Sequence, residues 1–204
     1  MKKIILILLV CITTKIKAQD IEVGLSAGTG QIYIIENFNR NINIDYNYPI
    51  VFSADIKYTP INSFFGLKVK YQSINGELKG DNWQKINSTA IFIDKFDGYI
   101  ENRTIIGLLE YVNKNNNLGY NFGIGQTTEK INLDRTGLNY KESDFMVISL
   151  GGLLKIPLNS KISLKLEPSF QWNDPINTLY PNRYRMAGED INFIIQFGLN
   201  YKLK

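Results

Sequence analysis

The chain has 204 residues with 23 basic and 19 acidic side chains, one cysteine and no histidine. The missing histidine excludes the commonest acid–base and nucleophile-activating devices and any His-ligated metal. The length suits one domain.

Residues 1–18 read as a secretory signal peptide. Lys2 and Lys3 precede a nine-residue apolar run, Ile4 to Ile12, and Ala18 supplies a small residue before the expected cut. Nine apolar residues are too few to span a bilayer. Four lysines (2, 3, 15, 17) and no acid lie in this leader, so residues 19–204 are formally neutral and nothing points to nucleic acid as a partner. Cys11 also lies in the leader, with Val10 where lipoprotein processing wants a small residue, so the remaining domain, 19–204, is cysteine-free. No later apolar stretch reaches the length of a transmembrane helix.

Period-two alternation then recurs eight times. Residues 21–31 put Ile21, Val23, Leu25 and Ala27 opposite Glu22, Gly24, Ser26 and Gly28. Residues 49–58 set Ile50, Phe52, Ala54, Ile56 and Tyr58 against Ser53, Asp55 and Lys57, and 64–73 set Phe65, Leu67, Val69 and Tyr71 against Gly66, Lys68, Lys70 and Gln72. In 99–112 the phase is less sharp. The reading places Ile100, Thr104, Ile106, Leu108 and Val112 on the apolar face, opposite Glu101, Arg103, Gly107 and Tyr111, with Glu110 as a charged exception on the apolar side. Residues 118–127 alternate Leu118, Tyr120, Phe122, Ile124 with Gly119, Asn121, Gly123, Gly125. Residues 144–156, 161–172 and 191–204 complete the set. Such alternation, bounded by Asn, Pro, Gly and Ser clusters, predicts strands.

The connections at 59–63, 113–117 and 157–161 are short, and those at 32–48, 74–98, 128–143 and 173–189 are long. Eight antiparallel strands with both termini on one side need three connections there and four on the other. The expected fold is therefore an all-β, eight-stranded antiparallel up-and-down barrel with short turns at one end and long loops at the other. A soluble lipocalin-like barrel would also have eight strands. The faces decide between the two. One face is almost wholly aliphatic and aromatic, and the other is small and polar, rich in glycine, which suits a lipid-facing wall around a crowded polar interior. Tyr58, Phe65 and Tyr201 near one set of strand ends, and Tyr71, Tyr99, Phe145 and Trp172 near the other, would form the two interfacial aromatic girdles.

The face assignment collects a lumenal charge network of Glu22, Asp55, Lys57, Lys68, Lys70, Glu101, Arg103, Lys155, Lys165 and Glu167, with Lys202 beside it. Charges in a narrow barrel must pair, and an eight-stranded barrel is filled by its own side chains. Acidic pairs in the loops, Asp94 with Asp97 and Glu189 with Asp190, read as solvated loop chemistry, and the spacing of Asp94, Asp97 and Glu101 does not match a calcium loop. No cofactor or metal is expected. Trp83 in the 74–98 loop and Tyr180, Arg183, Tyr184 and Arg185 in the 173–189 loop are candidate contacts for an unidentified extracellular partner, because Tyr, Trp and Arg are enriched in binding hot spots.

The leader ending Ala18-Gln19, the segment GYIENRTIIGLLEY and the closing FGLNYKL resemble the small outer membrane β-barrel family of Bacteroidetes-type bacteria, similar in form to OmpA/OmpX-type barrels. The resemblance covers residues 19–204. It implies an outer-membrane address, with outer-membrane lipid and the barrel assembly machinery as partners of a monomer. It also implies that Phe197, Leu199, Tyr201 and Leu203 carry a C-terminal assembly signal, although Leu203 and Lys204 stand where a terminal Phe is often found. The expected role is non-enzymatic, in envelope structure or surface interaction through the loops. The alternative is a narrow porin-like transport or small-ligand-binding barrel.

Overall fold

The computed structural model describes residues 20–34, 43–87, 89–113, 117–133, 139–141, 145–175 and 190–203. The strands are β1 (Asp20–Ile34), β2 (Asn43–Thr59), β3 (Phe65–Asn87), β4 (Thr89–Val112), β5 (Leu118–Leu133), β6 (Asn139–Lys141), β7 (Phe145–Pro157), β8 (Ile162–Asn173) and β9 (Asp190–Lys202). Every pairing between them is antiparallel. Eight of them form a closed ring in the order β1-β2-β3-β4-β5-β7-β8-β9, shut by the pairing of β9 with β1. The three-residue β6 lies beside the end of β5, outside the ring.

The turns between β2 and β3, β4 and β5, and β7 and β8 are short because their residues tolerate tight geometry. Asn62 and Asn117 take positive φ, 56° and 60°, a region that asparagine visits at low cost. Asn159 accepts from the Lys161 and Ile162 N–H groups through its side-chain oxygen, each at 2.8 Å.

The register fixes the size of the barrel. Passing from pair to pair around the ring, Val23 meets Ile56, Val69, Gly107, Ile124, Ile148, Trp172 and Ile191. Ile191 then pairs with Tyr33, ten residues beyond the start on the same strand. Eight strands and a stagger of ten residues, at about 3.3 Å rise and 4.8 Å spacing, require a tilt of about 40° and a backbone radius of about 8 Å. That leaves an interior only wide enough for side chains.

Burial alternates along each strand, and the outer face is the apolar one. Leu25, Phe52, Ile56, Leu67, Val69, Ile105, Leu109, Phe122, Ile124, Leu150, Ile195 and Phe197 are all exposed. The outward row of β9 from Phe193 to Leu203 spans ten residues. At the tilt above, it covers about 25 Å along the axis, the height of an outer-membrane apolar band. On β3, β4 and β5 the outward rows turn polar at one level, where Ser73 pairs with Arg103 and Arg103 with Thr128. Phe65, Tyr111 and Tyr120 stack near the turn end, with centroids 5.5 and 5.1 Å apart.

Three expectations are corrected. Within the expected 74–98 loop, residues 74–87 and 89–98 are strand, since β3 and β4 stay paired out to Asn87 and Thr89. Together they form a tall hairpin that runs past the apolar band, and the loop-like composition there reflects the loss of the apolar outward row. Phe145 is buried and faces the lumen, not a girdle. The phase of β4 is the reverse of the expected one. Ile106 and Leu108 point inward and Ile105 and Leu109 outward, because the doublets Ile105-Ile106 and Leu108-Leu109 supply an apolar residue to either face.

Glycines on β5 make room for this inward face. A Cβ on Gly123 would collide with the Gly107 carbonyl oxygen and lie 2.8 Å from Leu108 Cδ2. Ile106 and Leu108 of β4 thus close over β5 to pack with Val147 of β7.

Candidate functional site

The inward rows of β2, β3, β4, β7 and β8 each carry charged residues toward the turn end, and these meet in the lower lumen. Lys155 of β7 contacts both carboxylate oxygens of Glu22 on β1, at 2.6 and 2.7 Å. Glu22 lies 3.9 Å from Lys57 of β2, and Lys57 lies 2.8 Å from Glu110 of β4. Glu110 also pairs with Lys68 of β3, which reaches Glu167 of β8 at 3.2 Å. Glu167 holds Lys70 at 2.8 Å through its other oxygen. Lys70 then donates to Gln196 Oε1 at 2.6 Å, and Gln196 Nε2 donates to Ser53 Oγ at 2.9 Å. Lys165 and Asp55 form a separate buried pair. The network joins strands from around the ring through alternating signs.

Above it, Gln72 and Gln171 each donate a side-chain amide to the other, at 2.9 and 3.1 Å, across the lumen. Thr104 and Thr127 share a hydrogen bond of 2.8 Å. Further along, buried Val51, Ile74, Leu78, Ile100, Val147 and Ile194 interleave with Asn102, Asn173 and Asn192, and among the described residues the buried carboxylates of this half are Glu129 and Asp174. The inward row of β3 shows the gradient directly, running Lys68, Lys70, Gln72, Ile74, Leu78.

Of the expected lumenal charges, Glu22, Asp55, Lys57, Lys68, Lys70, Lys165 and Glu167 are buried in this network, with Lys155 at its partly exposed edge. Lys202 sits on the rim and pairs with Asp20 at 2.6 Å. Glu101 and Arg103 are corrected: they pair with each other on the outer wall at 2.6 Å, with the Arg103 side chain 61% exposed. The reversed phase of β4 exchanges them for Glu110, whose side chain is 1% exposed. The sequence did hold a signal for this. Without Glu101 and Arg103, the expected set opposes five lysines (57, 68, 70, 155, 165) to three carboxylates (22, 55, 167), and Glu110 supplies a fourth.

Phe197, Leu199, Tyr201 and Leu203 lie along the outer face of β9 and the residue after it, all exposed. Trp83 is in β3, paired with Ile93. Tyr180, Arg183, Tyr184 and Arg185 lie outside the described residues, as does the 1–18 segment.

Chemically, the lower lumen is a set of paired, immobilised ions, five ammoniums against four carboxylates. Each of its carboxylates already faces an ammonium, which is the arrangement of a structural filling and not of a poised acid or base.

An apolar exterior, a paired-ion lumen and complete closure define the class: a closed eight-stranded antiparallel barrel of the outer-membrane type. No protein-family description matches the chain, and no curated protein matches it by sequence. Solved structures do. Neisserial surface protein A superposes with a TM-score of 0.59 at 9% identity, covering 92% of this chain and 100% of that one. A major outer membrane protein from Thermus thermophilus gives 0.60 at 12% identity, over 91% and 100%. Ail, the attachment invasion locus protein of Yersinia pestis, in complex with the heparin analogue sucrose octasulfate, gives 0.51 at 10% identity, over 91% and 97%. At these identities the shared property is the fold.

Proposed function

We propose that the protein is a non-enzymatic monomeric barrel of a bacterial outer membrane, exported through residues 1–18 and acting in envelope structure or surface contact. The observation that carries this reading is the lumen. Its charges are paired with one another, and buried aliphatic side chains line the layer beyond them, so the interior serves as a core. The apolar exterior makes outer-membrane lipid the solvent of the wall. The outward row of β9 with Phe197, Leu199, Tyr201 and Leu203 is the segment offered to the assembly machinery. The narrower assignment to a Bacteroidetes-type family rests on the sequence resemblance alone.

Surface contact falls to the parts beyond the apolar band. On the tall β3–β4 hairpin and the end of β5, Glu77, Lys79, Lys95, Asp97 and Lys130 are exposed, a mixed-charge surface. Trp83, Tyr180, Arg183, Tyr184 and Arg185 remain the candidate contacts. Ail, which shares the fold, is known in complex with a heparin analogue, sucrose octasulfate, and a polyanion is one partner to try on this surface.

Planar-bilayer recording tests the closed lumen. The purified chain is expected to give no steady single-channel steps, and reproducible unitary conductance would overturn the reading in favour of narrow transport. For the address, the protein should fractionate with outer membranes and change its apparent mass on a denaturing gel when boiled. A detergent-free soluble monomer would refute it.

A further inference from the structure

Pro168 stands in the middle of the outward row of β8, between Leu166 and Phe170. A proline has no N–H to give to a sheet. The β7–β8 ladder runs from Val147↔Asn173 to Gly151↔Ser169, then resumes in the same register at Leu154↔Leu166. The two positions skipped, Gly152 opposite Pro168 and Leu153 opposite Glu167, are the two that need a bond from residue 168 to the Gly152 carbonyl. That carbonyl has therefore lost its ladder donor halfway across the apolar band, where an unmet acceptor costs most.

The same place is a hollow. A notch of about 560 Å³ opens on the outer wall at Gly152 and Pro168, framed by Tyr120, Leu150, Phe170 and Phe193. A Cβ on Gly152 would touch only Pro168 Cγ, at 3.4 Å, so no side chain among the described residues fills it. Directly behind the seam, the buried Asn121 amide and the Ser169 hydroxyl have no hydrogen-bond partner among the described residues. A Cβ on Gly151 would come within 2.7 Å of Asn121 Oδ1 and 3.1 Å of the Pro168 carbonyl oxygen. An apolar hollow thus lies over a strip of unused polar groups.

We propose that this notch is a binding site for a neutral, membrane-dissolved molecule with an apolar body and one hydroxyl, of the long-chain alcohol type, which donates to the Gly152 carbonyl. The rings hold the chain and the missing ladder bond sets the requirement for a donor. A phospholipid acyl chain satisfies the first condition and not the second.

The test compares uptake of radiolabelled hexadecanol and hexadecane by phosphatidylcholine vesicles with and without the full chain. The native protein is expected to take up hexadecanol about tenfold better than hexadecane above the lipid background, the worth of one hydrogen bond in an apolar setting. Pro168→Ala restores an N–H to the ladder and should abolish that preference while the barrel stays closed, as read by gel mobility. Gly152→Val fills the notch and should remove the protein-dependent uptake of both molecules. Equal uptake of alcohol and alkane by the native chain would overturn the proposal, since it would mean that the notch holds acyl chains without using the carbonyl. So would an undiminished preference in folded Pro168→Ala or folded Gly152→Val.

Discussion

Replacing Glu110 by glutamine removes the carboxylate that lies 2.8 Å from Lys57 and also pairs with Lys68. Lys57 would then keep only Glu22 at 3.9 Å, while Lys68 would retain Glu167 at 3.2 Å. Breaking a buried pair from one side costs about 3–5 kcal/mol, because the partner charge stays buried. The surviving contact to Glu167 places Glu110→Gln at the lower end, about 3 kcal/mol. Glu101→Gln breaks the Glu101–Arg103 pair, whose side chains are 30% and 61% exposed, so solvent screening makes its cost a small fraction of that of Glu110→Gln. Equilibrium urea unfolding of the barrel in vesicles, followed by circular dichroism, measures both. The comparison also tests the phase of β4, since a lumenal Glu101 and an outward Glu110 would reverse the order of the two costs. Equal costs, or a larger cost for Glu101→Gln, would refute the assignment. Adding Lys68→Met to Glu110→Gln removes one surplus buried cation and should return about 1–2 kcal/mol, a non-additivity that a merely steric effect would not produce.

The remaining predictions concern the wall. Gly28→Ala places a methyl where an ideal Cβ collides with the Ile195 carbonyl oxygen and lies 2.8 Å from Gln196 Cα, on the seam that closes the barrel. It should cost at least about 1–3 kcal/mol and lower the folded fraction on unheated gels. Gly107→Ala, whose Cβ would meet only the Ile124 carbonyl oxygen at 3.8 Å, should fall within about 0.5 kcal/mol of the native chain. Phe197→Arg, in the middle of the outward row of β9, should destabilise the vesicle-inserted barrel by about 2–4 kcal/mol, and Leu203→Arg at its end by about 1 kcal/mol or less. Equal penalties at the two depths would argue against a lipid-facing β9.

Most strands were legible in the sequence because one face of each is nearly pure. Val23-Gly24-Leu25-Ser26-Ala27 can be read in only one phase. Residues 103–110 cannot, since Ile105-Ile106 and Leu108-Leu109 fill both phases equally, and only the lysine surplus on the other strands argues for an inward Glu110. The height of the β3–β4 hairpin was hidden for a different reason. Beyond Ser73 its outward row is Asn75, Glu77 and Lys79, and a strand in water on that face has no period to show. Apart from Glu110, the members of the ion network could be named from face assignment, but their wiring could not. Lys68 and Glu167 are 99 residues apart, and which lysine meets which carboxylate follows from the ten-residue stagger of the ring, a property that no single strand carries.

The pairing of β1 with β9, from Glu22↔Lys202 to Ile34↔Asp190, is also the pairing of greatest separation along the chain. In sequence it comes last, yet in space it is one seam among eight. The Leu203 N–H donates to the Ile21 carbonyl at 2.8 Å, so the two ends of the described barrel lie side by side at the same end as the short turns. The sheet is therefore a cycle whose starting point is arbitrary. A chain rejoined there by a few residues and reopened at the 158–161 turn would have the same neighbours, the same stagger and the same ions. The difference would be in time. In the natural order, β1 waits for the whole chain before its second edge is covered, and both edges stay open to other strands until then. In the permuted order that exposure would pass to β7 and β8, the seam that Pro168 already weakens.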